Sequence, residues 1–299
     1  MFLEVGLLIQ ETERARMKRI LNYKYMILFG IIAFITMFMV FYVYINYAYE
    51  MPSRYENVNY DETDLTREEI NKIRNNNFLQ NFLSLKEGFS FDESYSRYCA
   101  VKTRIIPIVV ISIFFLYSSI KCNLVKYNIG RNNKFAKENN KLKRRIALIP
   151  ALFSLIIVFA LIVIGLLSNK NNFLTYFKFL YNHNDIISYV MFNNVAVLIV
   201  FEIFSFIGIY LLSLFSLELV DRYGNIDAII IFLIISWVLP IFISGDLMIF
   251  TAIRKILPHS ILLISLEYGT SLMDLILPII ILIISILWIR KLKYDKIEI

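Results

Sequence analysis

Apolar residues fill this chain in long unbroken runs, not in the three-and-four spacing of a helix that faces water on one side. The runs are Tyr25–Ala48, Ile105–Ile120, Ile146–Leu167, Ile187–Leu217, Ile226–Ser244 and Leu272–Ile289. A helix needs about 20 residues to cross ~30 Å of hydrocarbon, and most of these runs reach or approach that length. Asp227 and Asp274 stand at run edges, and Glu202 alone is charged within a run. The pattern predicts an all-α polytopic membrane protein, a single domain over residues 1–299 with six transmembrane helices. Leu247–Leu266 is apolar enough to suggest a seventh, but Arg254, Lys255 and Pro258 break it and its cleanest stretch, Ile261–Leu266, is too short to cross. The connection 245–271 is therefore expected to hold an outer re-entrant or interfacial helical pair over Leu247–Tyr268.

The distribution of Lys and Arg sets the expected orientation. Arg14, Arg16, Lys18, Arg19 and Lys24 precede the first run, and Arg290, Lys291, Lys293 and Lys296 follow the last. Between the second and third runs, residues 121–145 carry nine bases against the single acid Glu138, whereas Glu50–Arg104 carries ten acids and eight bases. The positive-inside rule then places both termini and a basic 121–145 loop in the cytoplasm, and residues 49–104 outside. Residues 1–24 are not patterned as a cleavable signal. Phe2, Val5, Leu8 and Ile9, then Met17, Ile20 and Leu21, predict an interfacial helix, with a frayed basic terminus as the alternative. In the outer loop, Thr66 and Glu69 fit a capping box and Leu65 with Ile70 a hydrophobic staple, which predicts an amphipathic helix near Arg67–Leu85. It reads either as a lid over the spans or as a packed connector.

Composition agrees with a membrane protein: 58% of residues are hydrophobic, with 25 Phe and 19 Tyr, and the mean hydropathy is +0.63. Aromatic rings suit the boundary where lipid meets water. Cys99 and Cys122 fall on opposite sides of the second span and cannot pair, and His183 with His259 make no metal-binding spacing. No metal or cofactor site is expected in this chain. It has no glycine-rich phosphate loop, no His/Glu metal motif within a span and no nucleophile elbow. Positive-inside sorting already accounts for the bases, so nucleic acid is not an expected partner. Glu202, in the run VLIVFEIFS, is the most conspicuous residue, because an acid at membrane depth costs several kcal/mol unless paired, hydrated or protonated. It is a candidate for a substrate pathway or proton relay. Alternatively the helix starts lower, or a neighbouring polar side chain satisfies the acid. Glu218, Asp221 and Arg222, with Gly224 as a helix stop, predict a tight inner turn between spans four and five, which ordinary interface chemistry explains.

This order of parts resembles the permease subunit of bacterial ABC-2-type ABC transporters. The likeness lies in the amphipathic N-terminal segment, the six spans with both termini inside, the basic 121–145 segment, and the short outer helical pair that includes Ile256-Leu-Pro-His-Ser-Ile261. It covers essentially the whole chain and is architectural, without a sharp sequence motif. The resemblance implies a bacterial cytoplasmic membrane, a second permease copy (identical or related), and a separate cytoplasmic ATPase that binds the ATP. It also implies a coupling element in 121–145, with Leu124, Tyr127, Ile129 and Phe135 as apolar contacts beside Arg131 and Lys134. Relatives of that kind mostly export lipids, peptides, antimicrobials or polysaccharide carriers, and catalysis would belong to the partner. Two rivals stay open on the residues themselves: a stand-alone immunity or sensor protein that binds a peptide at its outer loop, and a membrane-embedded enzyme using Glu202.

Overall fold

A computed structural model describes residues 23–42, 44–46, 48–50, 75, 80, 91–127, 132–168, 194–239 and 272–294. All of these are helical except Gly224. In chain order the main elements are α1 (Tyr23–Tyr42), α2 (Phe91–Tyr127), α3 (Asn132–Ser168), α4 (Asn194–Tyr223), α5 (Asn225–Leu233) and α6 (Leu272–Tyr294). A π-turn, Ile234–Val238, carries α5 onward. Lipid offers no partner to backbone N–H and C=O groups, so apolar runs of this kind must satisfy them internally as helices.

Among the described residues, four helices are long and apolar enough to cross a membrane: Tyr23–Tyr42, Ser94–Cys122, Phe135–Leu167 and Leu198–Tyr223. These mark the chain as a membrane protein. The run Ile226–Ser244 is represented by a shorter apolar helix, Asn225–Val238, and the run Leu272–Ile289 by α6. The segments 1–22 and Leu247–Tyr268 lie outside the described residues, as do His183, His259, Pro240 and most of Arg67–Leu85, of which Asn75 and Gln80 are helical.

Helices α2 and α3 depart from the expected spans in length. Each has 37 residues, about 55 Å of helix, far more than the ~30 Å of hydrocarbon. Residues 91–104, expected in the outer loop, continue α2. Residues 121–127 and 132–145, expected as a basic loop, are the helical ends of α2 and α3. Charge in a sequence marks where a span leaves lipid, but it does not end a helix; Lys and Arg are good helix formers in water.

The bundle is built around α4, which packs against α2, α3, α5 and α6. Helix α2 packs against α3, α4 and α5, and its face Ile106, Val109, Val110, Ile113 and Phe114 is fully buried. Tyr98 meets Ser154, and Gly165 lies against Phe91, so α3 runs antiparallel to α2. Tyr95 meets Glu202 and Tyr117 meets Asp221, so α4 runs parallel to α2. At Gly224 the chain reverses through a backbone with φ 85°, where a side chain would be strained. The sequence predicted this stop. Antiparallel α5 then returns along α2, with Phe114 edge-on to Phe232 at 5.8 Å and Ser118 donating to Asn225 at 2.6 Å. Helix α1 touches the bundle along one narrow stripe that includes Ile32, Thr36 and Val40, and leaves Met26 and Phe34 exposed.

Candidate functional site

Two buried polar layers interrupt the apolar bundle. One lies at the end where α2 meets α3, α4 meets α5, and α6 finishes. There Lys143 of α3 sits 2.6 Å from Glu218 and 3.1 Å from Asp221, both on α4. Lys121 of α2 reaches Asp221 at 2.5 Å, and Arg290 of α6 reaches Glu218 at 2.9 Å. The Tyr117 hydroxyl donates to Asp221 at 2.5 Å, and Asn139 Nδ2 donates to the other carboxylate oxygen at 3.0 Å. The side chains of Glu218 and Asp221 are each 1% exposed, while Lys121 and Arg290 are 28% and 34% exposed. The two acids are thus enclosed together with Lys143, and Lys121 and Arg290 reach them from the rim.

The spacing on α4 explains the arrangement. Glu218 and Asp221 are three residues apart, so they share a face and present adjacent carboxylates to α2, α3 and α6. Burying a carboxylate costs several kcal/mol unless charge and hydrogen bonds offset it. Three cations and a phenol do so here, and the result fastens four helices at one level. From sequence, Glu218 and Asp221 looked like ordinary turn chemistry beside Gly224. The signal that could have found them is their i, i+3 spacing directly after an uninterrupted apolar run.

The second layer lies toward the opposite end, between α2 and α4. Glu202 is 8% exposed and accepts a hydrogen bond from Tyr95 at 2.5 Å. One helical turn along α4, Ser205 accepts from the ammonium of Lys102 at 3.1 Å, and Lys102 is 1% exposed. The Tyr98 ring centroid is 6.0 Å from that ammonium, and the Tyr98 hydroxyl pairs with Ser154 of α3 at 2.7 Å. Among the described residues no carboxylate stands within ion-pair distance of Lys102. An ammonium has three N–H donors, so this buried one is underserved.

Glu202 stands four residues into the apolar part of α4, about 6 Å from its end. The distance along α4 from Glu202 to Glu218 is 16 residues, about 24 Å, so the two layers bracket most of a hydrocarbon thickness. Both structural explanations for Glu202 have support: the acid lies near one end of the apolar part of α4, and Tyr95 of α2 donates to it. Sequence reasoning missed Lys102, which sits three residues before Ile105 and was counted with the outer loop.

Of the six residues expected to couple to a partner, Leu124 and Tyr127 lie in the last turns of α2 and Lys134 in the first turn of α3. Phe135 is half-buried on α3, and Ile129 and Arg131 lie outside the described residues. Of these six, Phe135 has a described side chain, and it belongs to neither polar layer. Compared with known protein families, with characterised proteins and with solved structures, the chain matches none.

Proposed function

We propose that this chain is the membrane-spanning permease subunit of an ATP-driven transporter, with six spans and both termini in the cytoplasm. It pairs with a second permease copy and with a separate cytoplasmic ATPase that binds and hydrolyses the ATP. The cargo is an amphipathic or hydrophobic molecule such as a lipid, peptide or antimicrobial, and the direction is export.

One observation carries this reading. Helices α2 and α3 run without a break from the apolar bundle into a basic extension, and ion pairs through Lys121 and Lys143 tie that extension to α4 at its base. A partner that pushed on the far end of the pair would move α2 and α3 as rigid levers. The buried layer would pass the movement to α4 and, through Arg290, to α6. Packed helices joined by such a layer move as bodies and do not deform gradually. Leu124, Tyr127, Ile129, Arg131, Lys134 and Phe135 cluster in sequence at the extremity of the levers, where an ATPase would grip them. Glu202 and Lys102, at the opposite end, supply the polar part of a cargo path.

Affinity purification of the tagged chain from its native membrane tests the proposal. A protein with Walker motifs should copurify in near-equal amount, and Tyr127→Ala with Phe135→Ala should release it while the chain stays folded. Recovery of the chain with no nucleotide-binding partner would overturn the proposal and favour a stand-alone sensor or immunity protein.

A further inference from the structure

The exposed face of α3 changes character once along its length. From Leu148 to Leu166, at three- and four-residue intervals, it is apolar and exposed: Leu148, Leu152, Ile156, Phe159 (67% exposed), Val163 and Leu166. That stripe spans 18 residues, about 27 Å, close to the thickness of the hydrocarbon. On the same face, directly beyond Leu148, stand Lys137, Lys141, Arg144 and Arg145, all exposed. The buried face of this segment carries Asn139, Lys143 and Ile146 instead.

The two sets of bases differ in partnership. Lys143 turns inward to Glu218 and Asp221. Among the described residues, none of the four exposed bases meets a carboxylate at ion-pair distance. If the apolar stripe faces lipid tails, continuity of the helix face puts Arg144 and Arg145 at the level where the tails end. Lys141 then stands about 5 Å beyond them and Lys137 about 11 Å beyond. This is within or near the ~8–10 Å over which a charged leaflet acts at physiological salt.

We propose that this face of α3 is a binding surface for anionic phospholipid headgroups, which hold a boundary lipid beside the bundle and not in a cargo path. A protein partner is the less suitable occupant. Interface centres are enriched in aromatic residues, Met and Arg and depleted of Lys and Ala. From Ala136 to Arg145 the exposed positions are Ala, Asn, Lys and Arg, so Arg144 and Arg145 would have no aromatic or other large apolar anchor beside them. The first exposed large apolar residue is Leu148, where the lipid stripe begins. Arginine and lysine at that boundary place their charge among phosphates while the stems cover apolar surface.

The test uses the full chain reconstituted in phosphatidylcholine vesicles that carry a trace of spin-labelled phosphatidylglycerol or spin-labelled phosphatidylcholine. The immobilised fraction of each label is then compared. The wild-type chain should favour phosphatidylglycerol by at least about fivefold, the effect of one juxtamembrane base. The preference should collapse near 1 M salt, where the screening length is about 3 Å. Joint replacement by Lys137→Gln, Lys141→Gln, Arg144→Gln and Arg145→Gln should bring it to parity, whereas Arg144→Lys with Arg145→Lys should keep it. If the fourfold variant does not fold, Arg144→Gln with Arg145→Gln should still lower the preference. Unchanged preference in the folded variant would overturn the proposal. So would displacement of the label by inorganic phosphate, or loss of a cytoplasmic protein partner with the lipid preference intact.

Discussion

The ammonium of Lys143 and the carboxylate of Glu218 meet at 2.6 Å between α3 and α4, with side chains only 3% and 1% exposed. Removing one member of such a pair strands the other in a medium that solvates it poorly. Lys143→Met should therefore destabilise the protein by about 3 kcal/mol, the lower end for a broken buried pair, because Arg290 and Lys121 still reach the two acids. A double-mutant cycle of Lys143→Met and Glu218→Gln, read by unfolding in detergent, should return a coupling of about 1–3 kcal/mol. Additive effects would mean that the layer does not act as a unit.

The sequence disclosed the parts of this architecture that hydropathy controls. Long apolar runs gave the helices, and Gly224 after Glu218, Asp221 and Arg222 gave the reversal between α4 and α5. The basic stretch 121–145 was read as a loop because a charge count reports solvent contact and carries no information on helix continuity. Lys102 was missed for a related reason. A base near a run edge is normally solvated, and only the packing of α4 against α2 encloses it. Glu202 was conspicuous because nothing else in its run is charged, but its partner Tyr95 is 107 residues away and no local pattern links them.

Two glycines with similar helical surroundings should respond oppositely to substitution. A Cβ on Gly165 would lie 2.7 Å from Phe91 Cβ and 3.0 Å from the Phe91 backbone nitrogen, so α2 and α3 must move apart to admit it. Gly165→Ala should cost about 1–3 kcal/mol, as overpacking does. A Cβ on Gly30 meets nothing within 4 Å, and Gly30→Ala should stabilise α1 by up to about 1 kcal/mol through helix propensity. Thermal unfolding of both variants in one detergent checks the contrast. Equal effects would count against the close approach of α2 to α3.

The native cysteines report the orientation without engineering. Cys99 is buried in the bundle and Cys122 is exposed, one residue beyond Lys121 of the ion-pair layer. A membrane-impermeant maleimide should label Cys122 in inside-out vesicles and leave it unlabelled in intact cells, with Cys99 unreactive in both until the protein is unfolded. Labelling of Cys122 in intact cells would invert the proposed topology, and the cytoplasmic coupling element would fall with it.

Glu202 and Lys102 offer the sharpest separation of structure from function. Each is a buried charge on facing surfaces of α2 and α4, and each leans on a neutral group, Tyr95 or Ser205, as its hydrogen-bond partner. Among the described residues Lys102 has no carboxylate at ion-pair distance, so each substitution acts through its own bond. Lys102→Met leaves Ser205 without its donor, and Glu202→Gln gives Tyr95 a weaker, neutral acceptor. Each should cost up to about 1–3 kcal/mol, and with no shared partner the two costs should add in the double variant to within about 0.5 kcal/mol. Unfolding of the three variants in one detergent checks this. If the two residues serve the cargo path, a single variant that stays folded should lose cargo-dependent stimulation of the partner's ATP hydrolysis in the reconstituted complex. Folded single variants that are both fully active would assign the layer to packing alone. A double variant far more stable than the sum of the two would contradict the account of its energetics.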